Sequence, residues 1–459
     1  MNRNMEYQAL LTELEQTPPA LEYTVQRALA RKKASQKKRR LLGVPLGSLA
    51  VCALGFVLLV NLFPPFAAAC GRIPLLRELA QAVAWSPSLS AAVENEYVQP
   101  IGQSQTVNGI TASIQYLIVD QKQVNIFFTL EGEGYQSLTA EMPDFSPEQT
   151  CSVIGAMPNQ EPGTLLRFYL DYPEEVPDSF TMTFAVTGER AGDEAPVSEA
   201  PAPDRAYEDE MLDPVPEPEP EPEILAEFTF DLAFDPQFTA PGEILPVNET
   251  FRMDGQTLTV TEAEIYPTQV RLNVEADPDN TAWLKGLDFY LENEDGERFD
   301  AVTNGVTGTG DPDTPAMVSF RLESPYFSGS DRLTLCITGA RWLEKEHERV
   351  YVDLVHQTAP WLPEGVTLTS AQLREGGWFL TFRVAPTGRS ASSPFAMTFY
   401  DAEGKAWETR QMGFTASVDD EEASLVMLPL PGYQDGEVWL EAYYSHVTSE
   451  DTPIVIPVK

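Results

Sequence analysis

A chain of 459 residues with a net charge of −40 and 43% apolar residues is too long for one ordinary core, and its bulk is too acidic to hold nucleic acid. The four cysteines, Cys52, Cys70, Cys151 and Cys336, lie far apart, which excludes a disulfide scaffold and leaves folding to apolar cores. The charge is divided unevenly: residues 1–40 carry 9 Lys+Arg and 4 Asp+Glu, net +5, which leaves −45 for everything after them.

Residues 5–16 (MEYQALLTELEQ) place Leu10, Leu11 and Leu14 at helical spacing before Pro18 and Pro19 break the pattern. A second helix is predicted over 20–33, with Leu21, Val25 and Leu29 on one stripe. Two such short helices cannot bury both apolar faces against each other, so these six side chains are candidate anchors for a protein partner. A loosely ordered tail is the alternative. A basic collar follows, formed by Arg31, Lys32, Lys33, Lys37, Lys38, Arg39 and Arg40.

Residues 41–62 (LLGVPLGSLAVCALGFVLLVNL) then run without a charge. As a helix this stretch would reach about 33 Å, against a bilayer hydrocarbon core of roughly 30 Å, so a transmembrane helix is expected. The collar on its N-terminal side places residues 1–40 in the cytoplasm and the C-terminal bulk outside the cell membrane. The long segment ahead of the apolar run argues against a cleaved signal peptide.

Residues 63–97 are expected to form juxtamembrane helices. IPLLRELAQAVAW at 73–85 reads as one, and Ser86-Pro87 opens another as cap and first residue. They either couple the span to the outer domains or serve as a spacer.

From Val98 the apolar period changes from 3.6 to 2 and a threefold repeat emerges. Turn dipeptides at Asn108-Gly109, Asp254-Gly255 and Glu364-Gly365 are each followed by an alternating strand. The apolar faces are Val124, Ile126, Phe128 and Leu130; then Val270, Leu272, Val274 and Ala276; then Trp378, Leu380, Phe382 and Val384. In the second strand Arg271, Asn273 and Glu275 point the other way. Late strands follow Tyr172, Tyr326 and Tyr433. VYVDL at 350–354 and IVIPV at 454–458 are expected to close units two and three.

Residues 188–223 hold 13 acids, 2 basic residues and 8 prolines, a composition that cannot build a core. EFTFDLAF at 227–234 supplies the closing strand that unit one lacks, so the tract reads as an insertion within unit one, with an interdomain linker as the alternative. The expected fold class is mainly β: short cytoplasmic helices, one transmembrane helix, then tandem antiparallel immunoglobulin-like β-sandwiches at 98–240, 241–356 and 357–459.

No chemistry announces itself. His347, His356 and His446 fall late in the chain, with no Ser or Cys in a nucleophile-elbow context, and read as surface residues. There is no phosphate-binding glycine loop and no zinc-ligand spacing. The acids at Asp277–Asp279, Asp311–Asp313 and 419–422 lack EF-hand spacing and read as solvated turns. No enzyme activity, cofactor or metal is expected.

The order of basic collar, apolar run, short helix of the IPLLRELAQAV kind and then AAVENEYVQPIGQSQTVNGIT at 91–111 resembles a membrane-protein family of Gram-positive bacteria, domain of unknown function 4179. Residues 245–354 look like the immunoglobulin-like module that follows in such proteins. The resemblance implies an anti-sigma-factor-like layout: a cytoplasmic segment that holds an extracytoplasmic-function sigma factor, and an outer region that responds to an envelope ligand of unknown kind. It carries over no catalytic residues. The rival from another class is a passive adhesive or structural protein of the cell surface.

Overall fold

The computed structural model describes residues 73–191, 222–239, 241–302, 305–385, 393–409, 412–415 and 423–459. Among these the protein is mainly β, with two α-helices, α1 (Ile73–Ala82) and α2 (Pro87–Glu94). The expected transmembrane helix is not among them. The 10 residues of α1 reach about 15 Å, half the hydrocarbon thickness, and neither helix is long and apolar enough to cross a membrane. That part of the expected fold class is corrected for the described residues. The run 41–62, the anchors Leu10, Leu11, Leu14, Leu21, Val25 and Leu29, and the collar of residues 31–40 all lie outside them.

The start of α2 follows from its sequence. Ser86 is extended at the N-cap and its hydroxyl accepts the Leu89 N–H at 3.3 Å, while Pro87 fills the first position, where no N–H is needed.

The first sandwich is built from β1 (Gln99–Val107), β2 (Ile110–Val119), β3 (Gln123–Gly132), β4 (Tyr135–Ala140), β5 (Asp144–Ser146), β6 (Ser152–Ile154), β7 (Leu165–Asp171), β8 (Ser179–Arg190) and β9 (Ala226–Ala233). One sheet runs β1-β2-β3-β7-β6; in the other, β8 pairs with β4, β5 and β9. Asn108 and Gly109 take positive φ of 52° and 82°, which gives the tight hairpin between β1 and β2. Val124, Ile126, Phe128 and Leu130 face the core, where Phe128 stacks on Phe168 at 4.6 Å.

The two sheets are fastened at one edge by an amide comb. Gln99, Gln103, Gln105 and Asn108 of the β1 hairpin donate to the backbone carbonyls of Ala233, Asp231, Thr229 and Leu225. Backbone acceptors along the edge strand β9 are thereby satisfied by side chains instead of a further strand.

The second sandwich contains β10 (Glu243–Met253), β11 (Gln256–Ile265), β12 (Val270–Ala276), β13 (Ala282–Asn293), β14 (Arg298–Asp300), β15 (Gly308–Gly310), β16 (Met317–Leu322) and β17 (Leu333–Glu344). The third contains β18 (Arg349–Asp353), β19 (Val366–Arg374), β20 (Gly377–Val384), β21 (Phe395–Tyr400), β22 (Ala406–Glu408), β23 (Gly413–Thr415), β24 (Ser424–Pro431) and β25 (Glu437–Ala442). The last strand of the chain is β26 (His446–Pro457).

The closing strands are exchanged relative to the sequence expectation. β18, which contains Val350 and Val352, does not close the second sandwich; it pairs with β25 of the third. β26 does not close the third sandwich; it pairs with β17 of the second, and Ile456 and Val458 enter that core. The sheets are therefore β10-β11-β12-β16-β15 with β14-β13-β17-β26, and β19-β20-β24-β23 with β18-β25-β21-β22. The third sandwich is thus nested between the last two strands of the second, so the expected tandem boundary at 356/357 does not separate two complete domains.

The physical reason lies at the seam. At the end of β17, Trp342 is fully buried in the second core whereas its neighbour Leu343 packs in the third. The strand that leaves Glu344 consequently starts in the third sandwich. The return of β26 depends on Gly339, where a Cβ would stand 2.6 Å from the Thr448 carbonyl oxygen. A side chain there would push the two strands apart.

A chain ending at residue 356 is expected to lack a cooperative second sandwich, because it loses all β17–β26 pairing and two core side chains worth roughly 1.5–3 kcal/mol each. A chain in which residues 346–443 are replaced by Asn-Gly, joining β17 to β26 as a hairpin, is expected to unfold cooperatively. Urea titration followed by near-ultraviolet circular dichroism checks both.

Candidate functional site

Both α-helices lie against the outside of the first sandwich. On the faces of β2 and β3 turned away from that core, Tyr116, Ile118 and Phe127 stand among polar residues and need a cover. Leu79, Val83, Leu89 and Ala92 of the helical segment supply it, packing with Tyr97 over Tyr116, Ile118 and Phe127 in a second small core. The corner between the helices is latched by Trp85, whose ring lies 4.4 Å from the Arg167 guanidinium, with Tyr169 on the same cation at 5.4 Å. Burial lowers the Arg167 pKa to about 10.

The same helices reach the second sandwich. The Glu323 carboxylate accepts the Ser88 N–H at 2.8 Å and the hydroxyls of Ser86 and Ser88, so a negative charge sits on the N-terminus of α2. In return the Ser88 hydroxyl accepts the Ser324 N–H at 2.6 Å. Nearby, the Tyr97 ring meets Phe238 and Phe327 at 5.6 Å each. One short helical segment therefore touches both sandwiches and the connection between them.

Beneath it the two sandwiches meet through buried charge. Asp171, at the end of β7, receives Arg271 at 2.9 Å and Arg321 at 3.2 Å, and Gln269 donates to it at 3.1 Å. Side-chain exposure of the three charged residues is 5% or less. Burial lowers the Arg321 pKa, an effect that Asp171 opposes. Asp120, fully buried, accepts the Thr268 N–H at 3.1 Å and the Thr268 hydroxyl from across the junction. Burial raises the Asp120 pKa, and its bonds to Thr268 and the Lys122 amide pull the other way.

Arg271 was expected on the face of its strand opposite Val270, Leu272 and Val274. That face is closed by the first sandwich, and alternation within one strand cannot report a neighbouring domain. Asp171 and Glu323 were equally unmarked in the sequence. The available signal was the pairing of Arg271 and Arg321 on adjacent strands with apolar residues around them.

A second feature is a cleft of about 560 Å³ at the crossover between the second and third sandwiches, lined by Asp254, Glu344, Trp361, Glu364, Ser445 and His446 among others. His446, expected on the surface, sits here with Nε2 2.6 Å from Asp254 and Nδ1 2.9 Å from the Ser445 hydroxyl. The residue types are those of a nucleophile relay, but the geometry is structural. Ser445 is buried, its hydroxyl accepts the Glu344 N–H and donates to the Trp342 carbonyl. Its hydroxyl thereby ties the end of β17 to the start of β26.

Of the other histidines, His347 stacks on Trp361 at 4.1 Å and bonds Glu344, and His356 bonds Asp353 in an exposed turn. The turn acids Asp277 and Asp311 accept the N–H groups of Asp279 and Asp313, capping their own loops. Among the described residues no group of His, Cys, Asp and Glu side chains could hold a metal ion.

Comparison with known proteins agrees with the resemblance drawn from 91–111. Residues 36–132 match a domain of unknown function (DUF4179), and residues 242–363 match a family of unknown function (DUF5643). No curated protein matches. Among solved structures, the crystal structure of the conserved domain protein from Bacillus anthracis is similar at 13% identity and a TM-score of 0.38, covering 57% of this chain and 84% of that one.

Removing Asp171 alone leaves two buried cations facing each other. Asp171→Ala is expected to destabilise the protein by about 3–5 kcal/mol. Replacing Asp171, Arg271 and Arg321 together by apolar residues of similar volume is expected to recover most of that loss, as read by urea midpoints.

Proposed function

We propose that the protein is an anti-sigma-factor-like signalling protein held at the cell membrane, its residues 1–40 binding a sigma factor and its immunoglobulin-like β region sensing the envelope. Leu10, Leu11, Leu14, Leu21, Val25 and Leu29 are the anchors of that interaction, laid into an apolar groove of the partner. One observation carries the transmission half of the reading: α2 is tied by Glu323 to the second sandwich while its apolar face, with that of α1, is packed on the first. A change in the angle between the sandwiches must therefore break one of these attachments or move the helical segment. That segment leads directly into the N-terminal part of the chain.

The coupling has the character of a two-state element, because packed interfaces of this kind switch instead of deforming continuously. Glu323 is the joint. Its carboxylate takes two donors from α2 and one from the N-cap Ser86, so a motion that withdraws it strands them all at once.

Capture from cell extract on the full chain is expected to retain a sigma factor, and Leu14→Asp with Leu29→Asp is expected to abolish retention. Absence of a retained sigma factor, or retention indifferent to the double substitution, refutes the proposal. Glu323→Ala is expected to keep capture while weakening its dependence on the β region.

A further inference from the structure

The outer face of the β18-β25-β21-β22 sheet carries aromatic side chains where a solvent-facing sheet would ordinarily carry polar ones. Val350, Val352, Val438, Leu440 and Phe399 point into the third core. On the opposite face Tyr351 stands beside Trp439, and Trp439 beside Tyr400, in register across three neighbouring strands. All three are half-buried. With strands about 4.8 Å apart the row spans roughly 10 Å, the reach of a short oligosaccharide.

The row is held in place. The Tyr351 and Tyr400 hydroxyls donate to Glu437 at 3.1 Å and Glu441 at 3.2 Å. The Tyr351 and Trp439 rings are 5.1 Å apart, and the Arg349 guanidinium covers Tyr400 at 3.5 Å. Each carboxylate uses one acceptor position on a tyrosine and keeps others. Arg349 retains donors around its edge. The face thus combines apolar rings with both hydrogen-bond senses at fixed positions.

We propose that this face binds a neutral polysaccharide, a sugar ring of which packs against Tyr351 and Trp439 while its hydroxyls pair with Glu437, Glu441 and Arg349, the cation that covers Tyr400. Charge and desolvation narrow the occupant. The −45 carried after residue 40 repels anionic polymers, and the face itself sets one Arg among Glu437, Glu441 and Asp353. An apolar protein surface laid here would strip water from four charged groups and leave them unpaired. Sugar hydroxyls, which both donate and accept, replace that water group by group.

The test is calorimetric titration of the full chain with cellohexaose and with chitohexaose, alongside an anionic hexasaccharide of heparin. At least one neutral hexamer is expected to bind, with Trp439→Ala weakening it tenfold or more and Trp439→Phe restoring most of the loss. Tyr351→Ala carries the same test should Trp439→Ala lower the unfolding midpoint. No binding of either neutral hexamer, undiminished binding by the variants, equal binding of the heparin fragment, or capture of a protein on this face in place of sugar overturns the proposal. The inference is independent of the sigma-factor reading, because tail substitutions leave sugar binding unchanged and Trp439→Ala leaves sigma-factor capture intact.

Discussion

The pairing of β26 with β17 is the constraint on which the second and third sandwiches both depend. An unpaired sheet edge exposes a row of backbone donors and acceptors, and each of these sandwiches has one edge that its own consecutive strands do not fill. The chain fills both by exchange: β18 goes forward into the third sandwich and β26 comes back to the second. Trp342 donates its indole N–H to Thr448, 106 positions away, so the second core cannot be completed until the end of the chain has arrived. Such non-local pairing is slow to form, and it binds the two sandwiches into one folding unit.

The junction between the first and second sandwiches is made by different physics. It is polar and charged, centred on Asp171 and Asp120, where the seam between second and third is apolar, with Trp283 and Leu343 paired across β13 and β17 and packed into the third core. A buried ion pair is held by its geometry, since desolvation offsets most of the Coulombic attraction and only well-aligned partners recover it. An apolar seam tolerates small slippage. The polar junction does not, which makes it the better place to register an angle, and it is the junction that Glu323 links to α2.

What could be read from the sequence divides along the same line. The inward sets Val124 to Leu130, Val270 to Val274 and Trp378 to Val384 follow from alternation alone, because burial on one face imposes a period of two whatever the partner. The caps and turns at Ser86, Asn108-Gly109 and Asp254-Gly255 are equally local. Strand partnership is not. VYVDL and IVIPV have the same length and alternation, so nothing within either says which edge it fills. That decision is made by where β17 ends, with Trp342 in one core and Leu343 in the next. The junction residues were hidden for a related reason: Arg271 and Glu323 resemble solvated charges until a second domain covers them. Three apolar side chains on the outer faces of β2 and β3, Tyr116, Ile118 and Phe127, are the local mark of a cover on the outside of the first sandwich.

The first and second sandwiches share a strand order, and β8–β9 in one occupies the place of β17–β26 in the other. Between these last two strands the first receives the tract rich in proline and acids, and the second receives an entire sandwich. Antiparallel neighbours hold the two ends of such an insertion side by side, so the entropic cost of closing it grows only slowly with its length. The corner is therefore a permissive site in the module, while the strands around it are fixed by their cores. The aromatic row of Tyr351, Trp439 and Tyr400 lies within the larger of the two insertions. The framework strands around it carry the packing of α1 and α2.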